Sequence, residues 1–210
     1  MYTEIELKYS LDEATARDIL ERQQLGSWRL GPFTAEMITD EYYDTPDGRV
    51  ARAGYALRFR QNDAKRMLQL KSLTPAAGDL HRRREIHLPT TAPTSPQKWP
   101  DGPEKRLLLT MLDNHPLVSL FGIHQRRHVA SVLDESGQPF ALLSLDEVRW
   151  RAGERERRAW ELEVELLPQG DEARLQALAR DLKAIPGLHP QPLSKYQRGR
   201  MLLSSAEEGE

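Results

Sequence analysis

The chain contains no cysteine, which excludes disulfides, thiolate metal sites and a cysteine nucleophile. Long apolar runs are missing as well: nothing approaches the ~18 residues that a membrane-spanning helix needs. The N-terminus shows no charged-then-apolar leader pattern, so the expectation is a cytoplasmic protein without a membrane partner. Excess charge of one sign is also absent. Thirty Lys and Arg stand against 32 Asp and Glu, a formal net charge of −2, and such a balance does not support general nucleic-acid binding. The six histidines show no HExxH or comparable ligand spacing. Ser72 and Ser144 have no His/Asp arrangement that suggests a nucleophile.

What the chain has in quantity is charge arranged with a period of two. Of its 210 residues 30% are charged and 39% hydrophobic, enough for one domain with a real core. Glu4, Glu6 and Lys8 alternate with Ile5 and Leu7, so an extended segment places charge on one face and apolar groups on the other. Trp160 to Leu166 does the same through Glu161, Glu163 and Glu165, and so do Leu57-Arg58-Phe59-Arg60 and Leu68-Gln69-Leu70-Lys71. Four such strands imply a sheet with one ionic and one apolar face. If the sheet closes, carboxylates and cations line its lumen together.

A coarse pass along the chain supports an α+β organisation. Ser10 to Glu13 reads as a capping box that opens a helix ending at Gly26. Strands are expected within 28–44 and over 55–61, 66–72, 80–88, 124–133, 140–149 and 160–167, with Asn62-Asp63 as a hairpin turn. Five prolines between Pro89 and Pro103 mark a surface loop. Helical spacing runs from 104 to about 120, from 171 to 185 and from about 194 to 203. Residues Arg155 to Arg158 read as a charged turn, Glu161 as solvent-facing, and only Arg83 of Arg82-Arg83-Arg84 as inward. The four tryptophans read as outer-wall packing and the histidines as surface or packing residues, with His87 the one possible lumen member. The expected division is one domain over 1–203 and a short frayed acidic tail over 204–210. Because the apolar faces of the strands need cover, the helices should pack outside the sheet.

The ionic face suggests a chemistry. Glu4 and Glu6 would lie about 7 Å apart on one strand face, close enough to share an ion directly or through water, and Glu163 and Glu165 repeat that spacing. Oxygen ligands without cysteine or histidine favour Mg²⁺ or Mn²⁺ over Zn²⁺. Arg58 and Arg60 suit a bidentate grip on phosphate, whereas Lys71 acts as a point charge.

Glu4-x-Glu6-x-Lys8, Tyr42-Tyr43-Asp44-Thr45-Pro46-Asp47, Leu57-Arg58-Phe59-Arg60, Asp146 and Glu161-x-Glu163-x-Glu165, in this order from residue 2 to about 203, resemble the CYTH family, the triphosphate tunnel metalloenzymes. With Ser194-Lys195 and Arg198-Gly199, the resemblance is closest to the bacterial inorganic triphosphatase branch, as a tunnel domain without the helical CHAD domain often joined to it there. His124-Gln125-Arg126-Arg127 departs from the pattern of other branches, which place a Lys-x-Arg pair, and only Arg127 carries over. The resemblance implies an eight-stranded antiparallel β-barrel, open at both ends, with a charged lumen. Glu4, Glu6, Asp146, Glu163 and Glu165 would hold one or two Mg²⁺ or Mn²⁺ ions. Lys8, Arg58, Arg60, Lys71, Arg83, Arg127, Lys195 and Arg198 would bind substrate phosphates, with Glu85 orienting those cations. Glu4, Glu6, Lys8, Arg58 and Lys71 form the implied catalytic set. The implied activity is metal-dependent hydrolysis of tripolyphosphate, in a monomer or homodimer. The alternatives are a class IV adenylate cyclase or thiamine triphosphatase of the same family, and a non-catalytic polyphosphate- or nucleotide-binding module.

Overall fold

The computed structural model describes residues 2–204. β1 (Tyr2–Leu11) leads into α1 (Glu13–Glu21), the short β2 (Gln24–Leu25) and β3 (Trp28–Leu30), and then the long β4 (Thr34–Asp44). After α2 (Arg49–Arg52), β5 (Tyr55–Gln61), β6 (Arg66–Ser72) and β7 (Leu80–Pro89) form a meander. A 3₁₀ turn at Pro96–Lys98 and α3 (Pro103–Leu112) precede a second meander of β8 (Val118–Leu133), β9 (Pro139–Ala152) and β10 (Arg155–Leu166). α4 (Glu172–Lys183), β11 (His189–Pro190) and α5 (Lys195–Ser204) follow.

Eight strands pair antiparallel in the order β8-β4-β5-β6-β7-β1-β10-β9, and β9 pairs back onto β8. The sheet is a closed barrel, so those eight strands have no free edge. β3 extends the sheet beside β8, and β11 lies against β1. Pleating then sorts the side chains: even positions of β1 and β5 face the lumen, and odd positions face out.

The outward apolar side chains are covered as expected. Leu7, Tyr9, Leu143, Leu145, Leu162 and Val164 pack with Ala16 and Ile19 of α1 and with Leu175, Leu178 and Leu182 of α4. On the other side, Leu57, Phe59, Leu68, Leu70, Ile86 and Leu88 pack with Leu108 and Leu112 of α3. Each fully buried Leu or Ile contributes roughly 1.5–3 kcal/mol. The proline loop folds back here: Trp99 is buried in the same cluster, and its Nε1 donates to the Ala92 carbonyl at 3.1 Å.

Several sequence expectations need correction. Asp12, not Ser10, caps α1, accepting from Thr15 N at 2.8 Å, because Ser10 is held in β1 opposite Glu161. Gly26 does not end that helix. It sits at φ +57 in the β2–β3 turn, where its left-handed backbone suits glycine. The helix expected to 120 stops at Leu112, and Asp113 and Asn114 take left-handed φ. β8 starts at Val118, because pairing with β4 overrides the local helical spacing. Arg155–Arg158 is strand, not turn. The turn is at Gly153, and Arg158 pairs with Arg149 in the β9–β10 register.

One end of the lumen is not an open mouth. There the inward positions are apolar: Tyr42, Phe121, Ile123, Val148 and Trp150 cluster with Tyr196 of α5. The Tyr42 and Phe121 rings stack at 4.7 Å. Trp150 therefore faces inward rather than into the outer wall, and its Nε1 donates to the Lys195 carbonyl at 3.0 Å. Helix α5 lies across this end, unlike the four helices on the outside. Among the described residues no helix is long and apolar enough to cross a membrane. Residues 205–210, read from sequence as part of an acidic tail, lie outside the described residues.

Candidate functional site

The lumen collects the charged side chains of the strands into one cavity of about 130 Å³. β1 supplies Tyr2, Glu4, Glu6 and Lys8 to its wall, β5 Arg58 and Arg60, and β6 Gln69 and Lys71. β7 supplies Arg83 and Glu85, β8 Arg127, and β10 Glu163 and Glu165, while Lys195 enters from the first turn of α5. Asp146 lies behind this wall, fully buried. Thus the strand-borne residues that the sequence points to gather in one barrel interior because of their period-two spacing, while Lys195 and Arg198 come from helix α5, and Arg198 does not line the cavity.

The ion pairs fall into three groups. Near α5, Lys195 Nζ contacts Asp146 at 2.7 Å and Glu163 at 2.8 Å, while Lys8 contacts Glu163 at 2.7 Å. Arg127 bridges Asp146 at 2.6 Å and Glu163 at 2.7 Å. Burial opposes the charge of Glu163, yet Lys195, Lys8 and Arg127 hold its carboxyl well below the usual range. Asp146 is held low by Arg127 and Lys195 against the same burial.

A second group lies on β4 and β5. Asp40, fully buried, accepts from Arg60 Nε and Nη2 at 2.7 Å each, and from Arg58 Nη1 at 3.4 Å. Burial would raise its pKa, but Arg60 and Arg58 hold it well below the carboxylate range. Arg58 also donates through Nε to Gln69 Oε1 at 2.9 Å.

The third group is short of cations. Lys71 Nζ donates to both Glu4 oxygens at 2.7 Å and lies 3.2 Å from Glu85, and Arg83 binds Glu6. Glu85 also accepts from the Tyr2 hydroxyl and lies 3.3 Å from His87, placing that histidine beside the lumen. Glu165 forms no ion pair among the described residues. Burial and then repulsion from Glu4, Glu6 and Glu85 push it up to about 7. Glu6 is raised too, because burial outweighs the pull of Arg83.

Two lumen carboxylates escaped the sequence reading. Asp40 is masked in the sequence by Glu41 beside it, which breaks the clean alternation that marks the other strands. Glu161, expected from the sequence to face solvent, is fully buried. It lies 2.9 Å from Lys8 and 3.3 Å from Lys195, and it accepts from Arg198. Arg198 also stacks over the Trp150 ring at 4.5 Å. The signal for Glu161 was present in the unbroken Glu161-x-Glu163-x-Glu165 period. His81 is likewise buried. Burial pushes its pKa down to about 4, and its ring pairs with the Gln191 carbonyl at 2.9 Å.

A family model for the CYTH domain matches residues 2–199. The chain belongs to the CYTH family. Its fold is shared with a Hippeastrum protein, HpAC1, studied as an adenylyl cyclase and described as having a dominant triphosphatase activity. The identity is 22%, covering 94% of this chain and 95% of that one, with a TM-score of 0.69. A Bacillus halodurans protein described as a candidate adenylate cyclase is 19% identical over 94% of this chain and 98% of its own, with a TM-score of 0.62. A Pyrococcus horikoshii protein is 18% identical over 96% and 99%, with a TM-score of 0.54. At these identities the likeness is one of fold.

The CYTH lumen of this chain suits a hard divalent ion at its cation-poor end. Among the described residues no three acidic or histidine side chains form a ready metal cage. Mg²⁺ asks for only one or two carboxylates, taking its other ligands from water and phosphate. Here Glu4, Glu6, Glu85 and Glu165 have Lys71 and Arg83 as their close cations, so oxygen donors outnumber the positive charges beside them, and Glu165, which pairs with neither, is raised by its neighbours. Glu163 and Asp146 instead share Lys195 and Arg127, with Lys8 also on Glu163.

Proposed function

We propose that this protein hydrolyses inorganic triphosphate within its lumen in a reaction that depends on Mg²⁺ or Mn²⁺, as a member of the bacterial inorganic triphosphatase branch. The observation that carries this reading is the charge balance of the barrel interior. Glu4, Glu6, Asp40, Glu85, Asp146, Glu161, Glu163 and Glu165 face Lys8, Arg58, Arg60, Lys71, Arg83, Arg127, Lys195 and Arg198, eight of each sign. Two divalent ions would bring such a lumen to about +4, which a triphosphate of roughly −4 to −5 neutralises, by analogy with ~−1.5 to −2 per phosphate monoester. A pure anion-binding module gains nothing from a lumen carboxylate such as Glu165, which pairs with no cation among the described residues and is raised by its acidic neighbours.

Arg58, Arg60, Lys71, Arg83, Arg127, Lys8 and Lys195 would hold phosphate oxygens, with the arginine forks fixing orientation. Arg198 supports this grip from the α5 end through Glu161. Glu4, Glu6 and Glu165 would hold the ion, and Glu163 and Asp146 would complete the site as their cations turn to phosphate. A bound divalent ion supplies neutralisation of phosphate charge and a more acidic water. The arginines spread the charge that builds on the leaving diphosphate, and the buried lumen excludes bulk water, which strengthens each of these contacts.

The test is a substrate panel. Purified protein is incubated with tripolyphosphate, ATP and thiamine triphosphate, with Mg²⁺, with Mn²⁺ and with chelator, while phosphate and cyclic AMP are followed. Tripolyphosphate should be the best substrate, and chelation should stop turnover. Cyclic AMP as the main product would replace this reading with the cyclase one, and tight binding without turnover would favour the non-catalytic module.

A further inference from the structure

Gln125 on β8 is 1% exposed, and neither its Oε1 nor its Nε2 has a hydrogen-bond partner. Burying an amide unpaired costs about 1–3 kcal/mol, so a side chain kept in this state calls for a partner at some stage. Its position suggests which one. Gln125 is two residues from Arg127 on the inward face of β8, and Asp40 pairs with Ile123 on the same face. That makes Asp40 and Gln125 diagonal neighbours, roughly 7–8 Å apart at Cα and within reach of a long side chain.

Neither residue belongs to the cavity wall, whereas Arg58 and Arg60 do. Asp40 thus stands behind the two arginines and holds both from the rear. Its second neighbour, Gln125, holds nothing. Any phosphate that draws Arg60 or Arg58 forward removes a partner from a carboxylate that is 0% exposed, and a buried charge left unpaired is strongly unfavourable. An amide that can donate from Nε2 is the remedy, and it is already in place.

We infer that Asp40 and Gln125 form an exchange pair behind the phosphate grip: Asp40 positions Arg58 and Arg60 before substrate arrives, and Gln125 takes over the Asp40 carboxylate as the arginines turn to phosphate. Both are positioning residues, and neither touches substrate. The inference rests on the phosphate-gripping role of Arg58 and Arg60 proposed above.

The test uses Gln125→Met, close in shape but without the amide, and Gln125→Leu as a second variant. Thermal melting is measured with and without tripolyphosphate and Mg²⁺, together with the dissociation constant of tripolyphosphate. Without ligand both variants should melt at or above the wild-type temperature, because unpaired polar atoms have been removed. With ligand they should bind about tenfold more weakly, the worth of one hydrogen bond to a charged group, and gain less in melting temperature. In an Asp40→Asn background the same substitutions should change binding little, a coupling that a double-mutant cycle reads directly. Wild-type affinity in both single variants would overturn the exchange, as would loss of fold in both or effects that simply add to those of Asp40→Asn. If the wild type itself failed to bind tripolyphosphate, the triphosphatase reading would fall first and this inference with it. Normal wild-type binding with unaltered variants removes the exchange alone.

Discussion

Arg127 and Asp146 face each other across the β8–β9 pairing, and the guanidinium fork is locked onto the carboxylate by hydrogen bonds of 2.7 and 2.6 Å. The pair joins the two strands of the β8–β9 hairpin, and Lys195 from α5 reaches the same Asp146 Oδ2 at 2.7 Å. One buried carboxylate therefore ties that hairpin to the helix that lies across the lumen end. Arg127→Ala leaves Asp146 buried with a single cation, and breaking such a pair costs about 3–5 kcal/mol. Urea unfolding should show a loss at or below that range, since Lys195 remains. A loss under about 0.5 kcal/mol, the usual size for a surface substitution, would show that the pair is solvated.

Glu161→Gln provides a related check on the α5 end. Lys8 keeps Glu163, so the expected loss is smaller, about 1–3 kcal/mol for a lost charge-assisted hydrogen bond. A solvent-facing Glu161 would show no measurable change in the unfolding midpoint.

Gly199 lies in α5 against the Phe121 ring, and a Cβ there would overlap that ring. Gly199→Ala should destabilise by about 1–3 kcal/mol through overpacking. It should also lower turnover, because Lys195 is carried on the same helix. Unchanged turnover with a lowered melting temperature would mean that Lys195 holds its place independently of α5.

The pH dependence has two opposing parts. Asp40, Asp146 and Glu163 have carboxyls held low, so their contribution is present above the unfolded carboxylate range and lost as pH falls through their folded values. Glu165 acts in the other direction. Its folded value of about 7 lies above its ordinary 4.5, so its contribution is full below 4.5 and lost as pH rises through 7. Glu165→Gln should be more stable than wild type at pH 8 without divalent ions, with the difference vanishing toward pH 4.5. Denaturation midpoints across that range check it, and parallel curves would contradict the raised value.

Arg58→Ala removes a guanidinium that lines the cavity and is held by Asp40 and Gln69. It should raise KM and lower kcat together, since the grip acts in both the ground and the transition state. Glu4→Gln should abolish metal-dependent turnover while the protein stays folded. Turnover at the wild-type rate in Glu4→Gln would remove Glu4 from the metal set.

The barrel was legible in the sequence wherever charge alternated cleanly with apolar residues. Glu4 to Lys8, Arg58 to Arg60 and Glu163 to Glu165 declared both strand and inward face, because a period of two admits one assignment once the apolar face is known to be buried. Arg155–Arg158 was unreadable for the opposite reason: its consecutive charges mark no face, and pairing with β9 alone makes it strand. Glu161 carries the same inward period as Glu163 and Glu165, so its side of the strand is legible in the sequence, but how deep the lumen runs at Glu161 and Trp150 is a property of the closed barrel and of α5. Asp40 and Gln125 show the same limit, since their importance lies in partners brought together from β4, β5 and β8.

The most direct test of an inward-charged lumen built for a metal and a triphosphate is calorimetric titration of tripolyphosphate into the protein, with and without Mg²⁺, for wild type and Arg58→Ala. Binding at a single site, strengthened by Mg²⁺ and weakened at least tenfold by Arg58→Ala, is the predicted result. Binding that is indifferent to both Mg²⁺ and Arg58, or no binding, would contradict it.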